Sequence, residues 1–180
     1  MRESQRPRIL EAGLRVAARS QGAAITLDAV ASEAGVTKPG LMYHFPSRDA
    51  LLAALVEYAA GQLERRMTEL LGKREATVSE RYRSYIHAAA DGQNMRAEWA
   101  LWFHSAYSAE LREAWGRHLD PWLLIPEETP AAERTRLLTA RLAADGLWAA
   151  QASGVAAPGE ADRAVIVTHI LGLIGEEGAE

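Results

Sequence analysis

The chain of 180 residues contains no cysteine. This absence excludes a scaffold held by disulfides, a cysteine-ligated zinc finger, an iron–sulfur cluster and catalysis by a thiol nucleophile. No stretch approaches the roughly 18 uninterrupted apolar residues of a membrane-spanning helix, and the first residues lack the apolar core of a secretory signal peptide. We therefore expect a soluble protein that works in the cytoplasm and does not enter a membrane.

Runs of alternating β-branched and polar residues, which are typical of strands, are also absent. Alanine, leucine, arginine and glutamate dominate instead, and these residues favour helices. Apolar residues at helical spacing, interrupted by glycine and proline, predict an all-α protein of about nine helices. One of the predicted breaks falls at Asp120 and Pro121, so that the helix beginning at residue 109 is expected to end near residue 119.

The formal net charge of −4 is unevenly distributed along the chain. Residues 1–49 carry seven basic and five acidic side chains, whereas the rest of the chain carries 13 basic and 19 acidic ones. A basic first part followed by an acidic second part indicates that the N-terminal end faces a polyanion.

Two short predicted helices flank a turn that contains Gly35. Thr26 and Thr37 occupy the positions of helix N-caps, and Pro39 lies where a first-turn proline is tolerated. This layout is that of a helix-turn-helix, whose second helix, here residues 37–44, fits the DNA major groove. That helix displays side chains that suit phosphate oxygens and base edges, namely Thr37, Lys38, Tyr43 and His44. The alternative is an ordinary corner between two helices.

The segment from Thr26 to Leu52 resembles the DNA-binding end of the TetR family of transcriptional regulators, and the resemblance extends over about residues 5–60. It implies an N-terminal three-helix DNA-binding domain over residues 1–46 and a helical effector-binding and dimerisation domain over residues 47–180. It also implies DNA contacts from six residues, namely Thr26, Thr37, Lys38, Tyr43, His44 and Arg48. Phe45 is implied to pack inward.

Two positions depart from the family pattern. Pro39 and Gly40 stand where the family often has glycine followed by serine or threonine, so a hydroxyl donor is missing, and Met42 replaces an aromatic residue. Base contacts therefore depend on few side chains, and we expect part of the specificity to come from DNA shape.

The acidic second part of the chain is rich in aromatic residues. Trp99, Trp102 and Phe103 recur at helical spacing on one face of one predicted helix, and Met95 lies one turn earlier. Such a stripe either lines a pocket for a small apolar or aromatic effector or belongs to an ordinary core. The candidate pocket residues are Met95, Trp99, Trp102, Phe103, Tyr107 and Trp148.

The last two predicted helices, residues 131–152 and 160–175, each have a broad apolar face. Two such helices from each of two chains form a four-helix bundle, which makes them a candidate dimer interface. The alternative is that both helices close the core of the monomer. The candidate interface residues are Leu138, Leu142, Ile166, Ile170 and Leu173.

No catalytic motif, metal-ligand spacing or phosphate-binding glycine loop stands out, so we predict no catalytic residue, no metal and no cofactor. The sequence predicts a ligand-responsive repressor that binds a palindromic operator in double-stranded DNA as a homodimer. Two alternatives stay open. One is a helix-turn-helix regulator gated by a protein partner or by no effector, and the other is a small helical enzyme or binding protein whose helix-turn-helix is incidental.

Overall fold

A computed structural model describes residues 5–19, 25–73, 75–92 and 94–175. These residues form nine α-helices and no strand, which confirms the predicted all-α fold. The helices are α1 (Gln5–Arg19), α2 (Leu27–Ala34), α3 (Lys38–His44), α4 (Arg48–Leu71), α5 (Val78–Ala90), α6 (Met95–Ser105), α7 (Ala109–Leu123), α8 (Ala131–Ser153) and α9 (Glu160–Leu173). In this part of the chain, no helix combines the length and the apolar character that crossing a membrane requires.

The bounds of α2 and α3 follow from capping by nearby residues. The Thr26 side chain accepts a hydrogen bond from the backbone N–H of Ala29, which satisfies a free donor in the first turn of α2. The helix ends at Gly35, whose φ of 62° is a left-handed conformation that glycine adopts without strain. Thr37 then caps α3 by accepting from the N–H of Gly40 at 3.2 Å. The tight turn between the two helices is therefore fixed by local chemistry.

The chain divides into two compact units. The first, called the head unit below, takes its residues from 1–62 and 94–117, and the second, the body unit, from 63–93 and 118–180. The head unit thus combines α1 to α3 and the first part of α4 with α6, which packs along α1. The sequence predicted a domain boundary after residue 46, which would assign α6 to the second domain. This boundary between two functions stays a prediction.

Each unit has its own apolar core. In the head unit, Ile9, Leu41, Leu51 and Leu55 are fully buried, and the Leu55 side chain on α4 packs against Gly13 on α1. The core of the body unit joins α5, α8 and α9 through side chains that include Tyr82, Ile86, Leu137, Ala140 and Ile170. Burial of such side chains away from water is the main force that holds helices of this kind together.

The predicted break at Pro121 is wrong, because α7 continues through this proline to Leu123. Proline removes one hydrogen bond from a helix, but the N–H of Leu124 again bonds the carbonyl of Asp120 at 2.9 Å. Leu119 and Trp122 on either side of the proline are both buried. Burial of these two side chains outweighs the lost hydrogen bond.

Candidate nucleic-acid interface

The recognition helix α3 is anchored by one residue and exposes the others. Leu41 is fully buried in the head unit, whereas Thr37, Lys38 and Tyr43 lie on the surface. Tyr43 is 86% exposed, so its ring and its hydroxyl are open to solvent. The outer face of α3 therefore carries hydroxyl and ammonium groups that can reach a ligand.

The two predicted threonine contacts are both exposed helix caps. The hydroxyl oxygens of Thr26 and Thr37 each accept from a backbone N–H at 3.2 Å. A hydroxyl that accepts in this way still has its own O–H to donate, and phosphate oxygens at a helix N-terminus are suitable acceptors. Both residues thus have the geometry that the sequence predicted, while the contact with DNA itself stays a prediction.

Lys38 is held by a neighbour that sequence reasoning missed. Its Nζ lies 2.9 Å from Oδ2 of Asp28 on α2, and both side chains are about half or more exposed. An exposed ion pair of this kind contributes roughly 0–1 kcal/mol, and the ammonium keeps two further N–H donors. The ion pair is therefore weak enough for another anion to replace Asp28 at little cost, while the contact of Lys38 with DNA stays a prediction.

The end of α3 is a series of rings that runs from the surface into the core. The rings of Tyr43 and His44 are 5.2 Å apart edge-on, and those of His44 and Phe45 are 6.4 Å apart. Phe45 is only 2% exposed, as expected from its implied inward packing, and the guanidinium carbon of Arg6 lies 5.3 Å from the centre of its ring. The buried Phe45 therefore anchors the end of α3 that carries the two predicted phosphate contacts Tyr43 and His44.

Arg48 has a structural role in addition to the predicted one. Its Nε–H donates to the carbonyl oxygen of Ile25 at 2.8 Å, which ties the start of α4 to the residue before the cap of α2. Burial, followed by the positive charge of Arg48, lowers the pKa of His104 on α6, so that this imidazole is neutral at neutral pH. Arg48 is half-buried, and its contact with phosphate stays a prediction.

The candidate pocket residues do not form one enclosed wall. Met95 is buried and Trp99 half-buried, whereas three of the candidate aromatic residues are exposed, namely Trp102, Phe103 and Tyr107. These five residues all belong to the head unit, and the half-buried Trp148 belongs to the body unit. An apolar stripe in the sequence does not show which of its residues face a neighbouring helix and which face the solvent.

The body unit contains a groove of about 750 Å³ that the sequence did not predict. It lies where the ends of α4 and α5 meet the start of α9, and it is lined by both charged and apolar side chains, including Arg66, Glu69, Leu70, His87, Arg163 and Val167. Nε of Arg66 lies 3.5 Å from Oδ2 of Asp91. Arg163 donates to Gln151 and to the carbonyl of Ala90. No sequence motif marks the groove, because its residues come from three separate helices.

The candidate dimer residues separate into two groups. Leu138, Leu142 and Leu173 are exposed, and Leu142 is 63% exposed. Ile170, in contrast, is only 3% exposed and belongs to the core of the body unit, so it offers little surface to a partner, and its place in the interface stays a prediction. The half-buried Ile166 packs against the same core. The apolar face of α9 is wide enough that one side of it packs within the chain.

A metal centre was not predicted, and across residues 5–19, 25–73, 75–92 and 94–175 no group of three or more histidine, aspartate or glutamate side chains is arranged to hold a metal ion.

The chain is similar to bacterial regulators along most of its length. Residues 9–55 match the family model described as bacterial regulatory proteins, tetR family, and residues 79–175 match that of the tetracyclin repressor-like C-terminal domain. The chain is 33% identical over 66 residues to YerO of Bacillus subtilis (strain 168), described as an uncharacterized HTH-type transcriptional regulator. That match covers 37% of this chain and 23% of YerO.

Two solved structures have the same fold. The fatty acid degradation regulator FadR from Bacillus halodurans is 14% identical, with a TM-score of 0.64 over 99% of this chain and 98% of FadR. The multidrug binding protein EbrR, solved with imidazole, is 20% identical, with a TM-score of 0.65 over 98% of each chain. The C-terminal model matches more than half of the sequence, and the N-terminal model covers the helix-turn-helix. The chain belongs to the TetR family of transcriptional regulators.

Proposed function

We propose that the protein is a repressor that binds a palindromic operator in double-stranded DNA as a homodimer and releases it when a small effector binds. The exposed face of α3, held in place by the buried Leu41, carries this proposal. A two-fold dimer places two such helices in successive major grooves, so the spacing of the half-sites must match the distance between the helices. We assign no catalysis to the chain and place its action in the cytoplasm.

The exposed apolar residues of α8 and α9 support a homodimer. Leu138 and Leu142 on α8 and Val165 and Leu173 on α9 are all exposed in the single chain. Exposed apolar side chains on two helices are typical of interaction sites, and two helices from each of two copies cover them in a four-helix bundle. These four residues therefore form the proposed dimer face.

We propose the groove of the body unit as the effector site. Leu70 and Val167 supply an apolar part, and Arg66, Glu69 and Arg163 supply a charged part. This lining favours an effector with both an apolar and a charged group over a purely apolar one. EbrR, which shares the fold, has been solved with imidazole and with ethidium, and these complexes support a small molecule as the effector.

Selection of bound duplexes from a random DNA library tests the repressor function. We expect a palindromic consensus bound by one dimer, and a steep loss of affinity as the salt concentration rises, because phosphate contacts release counterions. No enrichment above random DNA, combined with no salt-dependent binding of any duplex, would reject DNA binding and favour the incidental helix-turn-helix.

Thermal unfolding in the presence of small organic ions separates an effector-gated regulator from one gated by a protein or by nothing. A ligand at about 100 times its dissociation constant stabilises the folded protein by about 2.7 kcal/mol. The effector is expected both to raise the unfolding temperature and to weaken operator binding. A ligand that stabilises the protein without changing operator affinity would not be the effector.

Lys38→Ala is expected to weaken operator binding by about 10- to 100-fold and binding to random DNA much less. A good contact between a side chain and a base contributes about 1–3 kcal/mol to the discrimination between base pairs. Binding to random duplexes loses only the attraction between one positive charge and the phosphates. Fluorescence anisotropy with both duplexes measures the ratio. Asp28→Ala is the matched control, because it frees the Lys38 ammonium without removing it and should not weaken operator binding. An equal loss of affinity for both duplexes would show that Lys38 does not recognise a base.

A further inference from the structure

The four arginines of α1 in the described residues differ in their partners. Nε of Arg15 lies 2.7 Å from Oε1 of Glu33, and Arg19 contacts the other oxygen of the same carboxylate. Hydrogen bonds from Arg15 and then Arg19 lower the pKa of Glu33, so that the carboxylate is ionised and offsets part of their charge. These two arginines link α1 to α2 through one carboxylate.

Arg8 instead lies beside the turn of the helix-turn-helix. Its Nη2 lies 3.0 Å from the point where a Cβ on Gly35 would stand, so the guanidinium lies close to the backbone of this turn. Gly35 precedes the Thr37 cap of α3 by two residues. Arg8 is exposed, and it makes no ion pair with any residue that the structure describes.

Arg6 lies beside the other end of α3. Its guanidinium stacks over the buried Phe45, next to the ring of His44. Stacking uses the face of the guanidinium, so its positive charge stays at the C-terminal end of α3, beside two of the predicted phosphate contacts. The side chain is exposed on the same unit as Tyr43 and His44.

We propose that Arg6 and Arg8 are two further phosphate-binding residues of the DNA interface, one beside each end of the recognition helix, and that Arg15 and Arg19 are not. This inference rests on the proposed DNA-binding function. It extends the interface, which otherwise comprises α2, α3 and the start of α4, to the first turn of α1. Among the described residues, no carboxylate forms an ion pair with Arg8 and offsets its charge.

The test compares variants that each remove one positive charge from the same helix. Arg6→Gln and Arg8→Gln are each expected to reduce the slope of log affinity against log salt by about 0.9 and to lower affinity about eightfold at about 0.1 M salt, on operator and random DNA alike. Arg19→Gln is the matched control. It leaves Glu33 paired with Arg15 and should change neither the slope nor the affinity.

Charge-preserving variants separate a phosphate contact from a merely structural role. Arg8→Lys and Arg6→Lys are expected to retain the slope, and all variants should unfold at the temperature of the unmodified protein. An unchanged slope in both glutamine variants, or an equal loss in Arg19→Gln, overturns this inference while the DNA-binding function stands. An unmodified protein that binds neither duplex overturns both.

Discussion

Leu142→Arg is expected to break the proposed homodimer and to lower operator affinity by about 100-fold or more. Leu142 is 63% exposed in the single chain, more than the other three residues of the proposed dimer face. Two-fold symmetry would bring two arginines into one apolar interface. A buried charge without a partner costs about 3–5 kcal/mol, which raises the dissociation constant of the dimer by a factor of about 100 or more. Analytical ultracentrifugation and a gel shift measure the two effects.

Leu124→Arg is the control for this substitution. Leu124 is as exposed as Leu142 but lies in the loop after α7, outside the proposed dimer face. The same change of side chain there should leave both the dimer and the operator affinity unaltered. A Leu142→Arg protein that stays dimeric and binds operator normally would show that the subunits associate through another surface.

Phe45→Ala is expected to destabilise the head unit by about 3–5 kcal/mol and to abolish operator binding. The ring is buried at the C-terminal end of α3, so its loss leaves a cavity beneath the recognition helix. Because folded domains are stable by only about 5–15 kcal/mol, a loss of this size unfolds part of the head unit population. Urea unfolding followed by circular dichroism measures the stability, and a gel shift measures the binding.

Two neighbouring substitutions show whether burial is the cause. Phe45→Leu keeps most of the buried volume and should cost less than about 1.5 kcal/mol while operator binding persists. Tyr43→Ala removes a ring that is 86% exposed and should leave the unfolding midpoint unchanged while weakening DNA binding. If Phe45→Ala is as stable as the unmodified protein, Phe45 does not anchor α3.

Features that depend on residues close together in the chain were predictable. The caps at Thr26 and Thr37 and the glycine turn at Gly35 each involve hydrogen bonds between residues three to five apart, so the spacing of residue types is enough to locate them. The all-α fold follows from the same kind of evidence, because helical periodicity is a property of short segments. The resemblance to the TetR family rests largely on this region.

A local signal in the sequence is a poor guide where contacts from elsewhere in the fold bury the same residues. Pro121 is a strong local break, yet Leu119 and Trp122 are buried and α7 continues. Ile170 lies on an apolar helix face that looks like a free interface in sequence, yet that side of α9 packs against α5 and α8. In both cases the deciding contacts come from other helices.

Local sequence thus defined where the helices begin, which of them form the helix-turn-helix and which side chains are candidates to bind DNA. Packing between segments that are separate in the chain determined which residues those side chains contact. It pairs Lys38 with Asp28, ties Arg48 to Ile25, and brings α6 against α1 in the head unit. The reason is physical. Periodicity and capping act within a few residues, whereas an ion pair, a groove or a buried face needs segments that only the folded chain brings together.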